Sequence, residues 1–125
     1  MISLLKIDCV MYKVKDLKAS NDFYSKLGLT KRWEDTDREM IGFTFPESDS
    51  EIVIHTNSDI PDFDICYAVQ DVEKMCDEYK KSGYSVVLEP IEVRSGKYAI
   101  LADLDGNKLP IIDLTKFGGK PQYDN

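Results

Sequence analysis

The sequence predicts an α+β domain built from tandem βαβββ repeats, which form a curved mixed sheet around a cleft with the helices on the outside. Residues 12–28 align without a gap on residues 67–83, and seven of the 17 aligned positions are identical. Each aligned segment passes from strand-like alternation into a helical pattern that ends at a glycine. Three strand-like runs then follow each helix. A single unit cannot cover its own sheet, so both units, about 5–57 and about 62–115, are expected to form one domain over residues 1–125.

The first copy opens with residues 7–14, which alternate between polar and apolar side chains as a half-buried strand does. Asp16 is placed to cap the start of a helix, and Gly28 is placed where a left-handed conformation ends it. The apolar side of this helix is expected to consist of Leu17, Phe23, Tyr24 and Leu27. The three following strands are expected at 29–34, 40–45 and 51–56.

The second copy repeats this order. Asp71 and Gly83 stand 55 residues after Asp16 and Gly28 and take the same cap positions. The apolar side of the second helix is expected to consist of Val72, Met75, Cys76 and Tyr79. The following strands are expected at 85–89, 97–102 and 107–114, with Asp105-Gly106 as a hairpin signal. Residues 57–62 are expected to link the copies.

Composition narrows the choice of partner and compartment. The formal charge of −7 and the pI of about 4.7 disfavour binding to nucleic acid or to an anionic membrane surface. Three cysteines without a C-x-x-C pair disfavour a disulfide framework and favour a reducing cytoplasm. The start of the chain has no signal-peptide pattern, and no run approaches the ~20 apolar residues of a membrane span. A cytoplasmic protein is therefore expected.

Three segments carry a resemblance to a known family. They are VMYKVKDLKASNDFYSKLGL, YAVQDVEKMCDEYKKSGY and AILADLDGNKLPIIDLTK. In order and spacing they resemble the vicinal oxygen chelate (VOC) superfamily, the group of glyoxalases, bleomycin resistance proteins and extradiol dioxygenases. The resemblance implies a small organic ligand or substrate and a homodimer. It also implies four ligand positions for a metal, at the start of strand one and on strand four of each unit.

The positions that match these four slots are Cys9 and His55 in the first copy, and Asp64 and Pro110 in the second. Cys9 and Asp64 are 55 residues apart, as are His55 and Pro110. The family pattern has His, Glu or Gln in every slot. Proline offers no side-chain donor, cysteine binds a metal only as the thiolate, and aspartate reaches less far than glutamate. The slots are therefore expected to be degenerate and no metal cofactor is expected, with a divalent metal held by Cys9, His55 and Asp64 as the alternative.

Strand alternation predicts what else would line the cleft. With Cys9 facing inward, the side chains expected beside it are Met11, Lys13, Val53, Cys66, Ala68 and Ile112. From the outer strands the candidates are Trp33, Arg32, Met40, Phe43, Arg94 and Tyr98. His55, the only histidine, is the best catalytic candidate, with an ordinary polar strand residue as the alternative. Cys66 and Cys76 are expected mainly to fill space.

Two functions fit these expectations. The first is a small-molecule-binding protein of the glyoxalase/bleomycin resistance type, with a degenerate metal site and a largely apolar cleft. The second is a metal-dependent lyase, isomerase or dioxygenase, similar to lactoylglutathione lyase, that uses Cys9, His55 and Asp64. The sequence contains no Gly-rich phosphate loop, no G-x-S-x-G elbow and no H-E-x-x-H motif.

Overall fold

The structure, a computed structural model, describes residues 3–60 and 65–123. Over these residues the chain runs twice through the order β-α-β-β-β, which confirms the predicted repeat. The elements of the first copy are β1 Lys6–Lys13, α1 Leu17–Lys26, β2 Thr30–Asp35, β3 Met40–Phe45 and β4 Ser48–His55. Those of the second are β5 Ile65–Ala68, α2 Val72–Lys81, β6 Val86–Glu92, β7 Lys97–Ala102 and β8 Lys108–Ile112, followed by a 3-10 helix at Thr115–Phe117. Part of the predicted linker, residues 61 and 62, lies outside the described residues, as does Asp64.

The described residues form two compact units that follow the repeat. The first unit contains residues 8–60 and Tyr123, and the second contains residues 3–7 and 65–122. In the first unit the strands lie in the order β2-β3-β4-β1, with β1 parallel to β4 and the other pairs antiparallel. The second unit has the order β6-β7-β8-β5, with β5 parallel to β8 and the other pairs antiparallel. The same mixed sheet is thus built twice, and the α+β class is confirmed.

Both helices begin and end as predicted. The carboxylate of Asp16 accepts a hydrogen bond from the amide of Ala19 at 3.0 Å, and that of Asp71 accepts one from the amide of Lys74 at 3.0 Å. These caps satisfy amides that have no partner within the helix. Gly28 and Gly83 follow the helices with φ of +90° and +87°, a conformation that a side chain disfavours.

The two helices differ in how well they cover their sheets. All four predicted apolar residues of α2 pack in the core of the second unit, where they meet Val69, Ala99, Leu101 and Ile111. On α1, Leu17 and Tyr24 pack against Ile41, Phe43 and Ile54, but Phe23 and Leu27 are 58% and 60% exposed. The prediction for these last two residues was wrong. At 3.6 residues per turn they lie on a stripe of α1 turned away from the one that carries Leu17 and Tyr24.

A buried carboxylate ties the second unit together. The Asp113 side chain is 1% exposed and follows directly after β8. Its Oδ2 accepts from the amide of Val72 at 2.8 Å, and its Oδ1 accepts from the amide of Lys97 at 3.0 Å. Oδ1 also accepts from the amide and the hydroxyl of Thr115, at 3.2 and 2.8 Å. One side chain therefore connects the start of α2, the start of β7 and the 3-10 helix.

In the part of the chain that the structure describes, neither α-helix has the length and apolar character that crossing a membrane requires.

Candidate functional site

Each sheet has one side that packs against its helix and one side that faces away from it. In the first unit, Ile41, Phe43, Ile52 and Ile54 belong to the cluster that packs with α1. Because strand side chains alternate between faces, their neighbours in sequence lie on the other side. We call this side the distal face of the first unit. Its members on β1, β3 and β4 are Cys9, Met11, Lys13, Met40, Gly42, Thr44, Glu51, Val53 and His55.

Phe43 is one correction to the predicted pocket. Its side chain is fully buried, at 0% exposure, in the cluster on the α1 side, and its ring lies 5.9 Å from that of Tyr24. Phe43 follows Ile41 by two residues on β3, so both side chains lie on the same side of the sheet. The pocket was predicted on the opposite side. The aromatic character of Phe43 pointed to the pocket, but the alternation of the strand places it in the core.

Two hydrogen bonds join β2 to the distal face. The indole Nε1 of Trp33 donates to Oε1 of Glu51 at 2.9 Å, and Nε of Arg32 donates to the hydroxyl of Thr44 at 3.1 Å. The pairing of β2 with β3 shifts between Lys31 and Trp33. Such a bulge changes the alternation locally, so Arg32 and Trp33, although adjacent in sequence, both reach partners on this face. The structure thus brings together two predicted residues and two, Thr44 and Glu51, that the sequence reasoning missed.

The absence of a side chain at Gly42 makes room for the indole. A Cβ built on Gly42 would overlap Cε2 and Nε1 of Trp33. The indole therefore occupies the space that a larger residue at position 42 would fill, and its hydrogen bond to Glu51 holds it there.

The guanidinium of Arg32 also contacts the ring of Tyr123, which follows the 3-10 helix. Its Cζ lies 5.0 Å from the centroid of the Tyr123 ring, within the range of a cation–π interaction. No sequence pattern predicts this contact, because the tail after the last strand has no periodicity. Strand alternation could have predicted Glu51, because its side chain lies on the same face of β4 as those of Val53 and His55.

Cys9 and His55 are both buried on the distal face, at 6% and 5% exposure, but they are far apart along it. Cys9 pairs with Glu51 in the parallel β1–β4 ladder, whereas His55 pairs with Lys13. Four residues of strand separate the two positions, or about 13 Å. Their side chains leave the sheet in the same direction, and a zinc–ligand bond is only about 2.0–2.3 Å long. One ion therefore cannot bind both, which corrects the predicted set of Cys9, His55 and Asp64.

Backbone hydrogen bonds also correct the predicted equivalence of His55 and Pro110. The amide of Val14 donates to the carbonyl of His55, and the amide of Val69 donates to the carbonyl of Ile112. Val14 and Val69 are equivalent in the repeat, so the structural equivalent of His55 is Ile112. Two residues before His55 on β4 and two residues before Ile112 on β8, Val53 and Pro110 are likewise structural equivalents. The fourth strands are thus 57 residues apart while the helices are 55 apart, a difference that an alignment without gaps does not reveal.

The distal face of the second unit is mainly apolar. By the same alternation, it carries the residues that do not pack with α2, and most of them are buried: Cys66, Ala68, Tyr98, Ile100, Pro110 and Ile112. All of these except Ile100 were predicted to line the pocket or to form a slot. Arg94 lies in the turn before β7, where its guanidinium is 5.4 Å from the centroid of the Phe117 ring.

Cys76 fills space in the core of the second unit, as expected. Burial and, to a smaller extent, the charge of Glu89 raise the pKa of its thiol to about 11. The thiol therefore stays protonated at neutral pH and is a poor nucleophile and a poor metal ligand.

A metal ion in a protein requires several donor side chains that converge on one point. Among residues 3–60 and 65–123, no group of three or more His, Cys, Asp or Glu side chains is placed to hold an ion. On the fourth strands, the pair Val53 and Pro110 carries no side-chain donor, and the pair His55 and Ile112 carries one. Asp64 lies outside the described residues.

Comparison with known proteins decides the family. The family model described as the glyoxalase/bleomycin resistance protein/dioxygenase superfamily matches residues 6–111, which include both repeat units. The chain belongs to this superfamily. The resemblance to the vicinal oxygen chelate group is thereby confirmed. Among curated proteins, no sequence matches the chain significantly.

Solved structures show the same fold at low sequence identity. The methylmalonyl-CoA epimerase of Mycobacterium tuberculosis is 17% identical, with 87% of this chain and 88% of that chain covered and a TM-score of 0.63. A hypothetical protein from Bacillus halodurans is 18% identical, with 96% and 98% covered and a TM-score of 0.63. The Mn(II)-bound glyoxalase of Novosphingobium aromaticivorans is 21% identical, with 89% of this chain but 39% of that longer chain covered and a TM-score of 0.59. At these identities the likeness concerns the fold and leaves the reaction open.

Proposed function

We propose that this member of the superfamily binds a small organic molecule at the distal face of one of its sheets and does so without a metal ion. The observation that carries the proposal is the register of the fourth strands. It makes Ile112 the equivalent of His55 and Val53 the equivalent of Pro110, so either pair of equivalent positions on the fourth strands supplies at most one side-chain donor. A cation there would have to keep most of its water, whereas an organic molecule would meet surfaces suited to it.

The character of each distal face, taken by itself, supports binding of an organic molecule. In the second unit, Ala68, Tyr98 and Pro110 offer a mainly apolar surface. In the first unit, Met11 and Val53 lie on the same face as Arg32 and Thr44, whose hydrogen bond fixes them within the sheet. Mainly apolar walls with a few oriented polar groups are the usual composition of small-molecule sites.

A metal-dependent lyase, isomerase or dioxygenase is the competing function. The Novosphingobium glyoxalase is Mn(II)-bound, so a metal site occurs on this fold. In this chain the spacing of Cys9 and His55 opposes such a site. Because the two functions differ in metal content, one measurement separates them.

Tag-free protein should be purified without chelators and its metal content measured by elemental analysis. We expect far less than one transition-metal ion per chain. A screen of small organic compounds by thermal shift should yield stabilisers, because a ligand that binds only the native state raises its melting temperature. A stoichiometric metal that is lost in the His55→Ala variant would overturn the proposal. The matched control is Cys76→Ala, which removes a buried thiol from the core and should leave the metal content unchanged.

We also propose that the chain forms a homodimer in which α1 lies at the interface. Phe23 and Leu27 are more than half exposed, and residues four apart lie side by side on a helix. A partner that covers this pair would remove its apolar surface from water, which favours association. By light scattering after size exclusion, the wild type should be dimeric and Phe23→Ser/Leu27→Ser monomeric, with little change in melting temperature. Leu104→Ser removes a side chain that is 87% exposed in a loop and should leave the dimer intact. A dimer that survives the double substitution would contradict this interface.

A further inference from the structure

The guanidinium of Arg32 is fixed on two sides while its outer nitrogens remain available. Nε donates to Thr44 at 3.1 Å, and the Tyr123 ring lies 5.0 Å from Cζ. Among the described residues, neither Nη nitrogen has a hydrogen-bond or ion-pair partner. Thr44 is 4% exposed and Arg32 is half-buried, so the cation is held in a partly desolvated place on the distal face.

This situation is unusual for a chain with 23 acidic and 16 basic residues. Arg38, by contrast, is paired with Asp35 at 2.9 Å, at the end of the same strand. A partly buried cation that has no anionic partner costs free energy, which an incoming anion would recover. The planar fork of the guanidinium presents two parallel donors, which match the two oxygens of a carboxylate.

We propose that Arg32 is the anion-binding group of this site and that the ligand carries a carboxylate. This inference rests on the proposed small-molecule function and names the chemical class of its ligand. Glu51 lies on the same face, and its side chain bonds Trp33, the neighbour of Arg32. A negative charge on the same face, although it is not paired with Arg32, disfavours a dianion more than a monoanion, and a carboxylate is therefore favoured over a phosphate monoester.

Tyr123 acts as a positioning residue in this arrangement. Its ring lies 5.0 Å from Cζ of the guanidinium, and the cation–π attraction favours the charged guanidinium in this place. Tyr123 thereby contributes to a site whose other residues come from β2, β3 and β4.

The test uses benzoate as the probe and benzamide as its uncharged isostere. Trp33 is the only tryptophan of the chain and lies next to Arg32, so its fluorescence reports binding in this place. We expect saturable quenching by benzoate, weaker binding of benzamide and weaker binding of phenyl phosphate. In Arg32→Met the dissociation constant for benzoate should rise at least about tenfold, as expected for loss of a charge-assisted hydrogen-bond pair. Arg38→Met, the same substitution in the same unit, should bind benzoate like the wild type.

Further variants separate binding from folding. Arg32→Lys keeps the charge but not the fork, so benzoate should bind it with intermediate strength. Tyr123→Ala should weaken benzoate binding about threefold, while Tyr123→Phe, which keeps the ring, should restore it. Melting temperatures of all variants show whether the fold is intact.

Three results would overturn the inference. If benzoate and benzamide bind equally and Arg32→Met changes neither, Arg32 does not bind the anion, although the proposed function still stands. If phenyl phosphate binds more tightly than benzoate, the ligand class is wrong. If neutral and anionic compounds alike fail to bind or stabilise the protein, the proposed function fails together with this inference.

Discussion

Replacing Asp113 by alanine is expected to lower the free energy of unfolding by about 3 to 4 kcal/mol. The carboxylate accepts four hydrogen bonds, from the amide of Val72, the amide of Lys97 and both donors of Thr115. Alanine would leave the amide of Val72 without a partner in a buried place, and the partly buried donors of Lys97 and Thr115 would lose the acceptor that connects them to α2. Urea unfolding followed by circular dichroism measures the change as a shift of the midpoint at constant slope.

Asp103 provides the matched control. Its carboxylate accepts from the amides of Asp105 and Asn107 and from the Asn107 side chain, so it makes a similar number of hydrogen bonds. These bonds lie in an exposed turn, where water can replace the lost acceptor. Asp103→Ala should therefore lower the free energy of unfolding much less than Asp113→Ala does. Equal losses in the two variants would contradict the role assigned to burial.

Replacing Gly42 by alanine is the second large expected effect. The added Cβ would overlap three atoms of the Trp33 indole, so the ring must move and lose its hydrogen bond to Glu51. The cost should be about 2 kcal/mol, typical of overpacking, and the tryptophan fluorescence should shift to the red as the indole meets water. Gly42 has no positive φ, so the cost is steric and does not come from the backbone.

A double-mutant cycle tests this steric cause. In the Trp33→Leu background the indole is absent, and Gly42→Ala should then cost less than about 0.5 kcal/mol. The expected coupling between the two positions is thus about 1.5 kcal/mol, measured by urea unfolding with circular dichroism. If Gly42→Ala cost the same in both backgrounds, Trp33 would not be the residue that position 42 accommodates.

Local patterns were sufficient for the helices. Asp16 and Asp71 cap their helices, and Gly28 and Gly83 end them, because capping depends on groups within a few residues of each other. The burial of the apolar side of α2 was predicted correctly from the spacing of its apolar residues along the helix. The exposure of Phe23 and Leu27 was not, since it depends on how α1 is rotated over a sheet formed by distant residues.

The candidate site was predicted only in part. Strand alternation placed Cys9, Val53 and His55 on one face, as the structure does. The pairing of β1 with β4 then decided that His55 lies opposite Lys13, four residues along from Cys9. Repeat arithmetic could not supply this register, because the lengths of the connecting hairpins differ between the copies.

The sequence by itself determined the family, the duplicated βαβββ order and the capping of both helices, since each depends on residues close together in the chain or on a repeat that can be counted. Only the tertiary structure decided the equivalence of Val53 with Pro110, the separation of Cys9 from His55 and the contact of Tyr123 with Arg32. These features depend on strand register and on contacts between residues distant in sequence. Register is set by the packing of side chains and the lengths of turns across the whole sheet, so no single stretch of the chain encodes it.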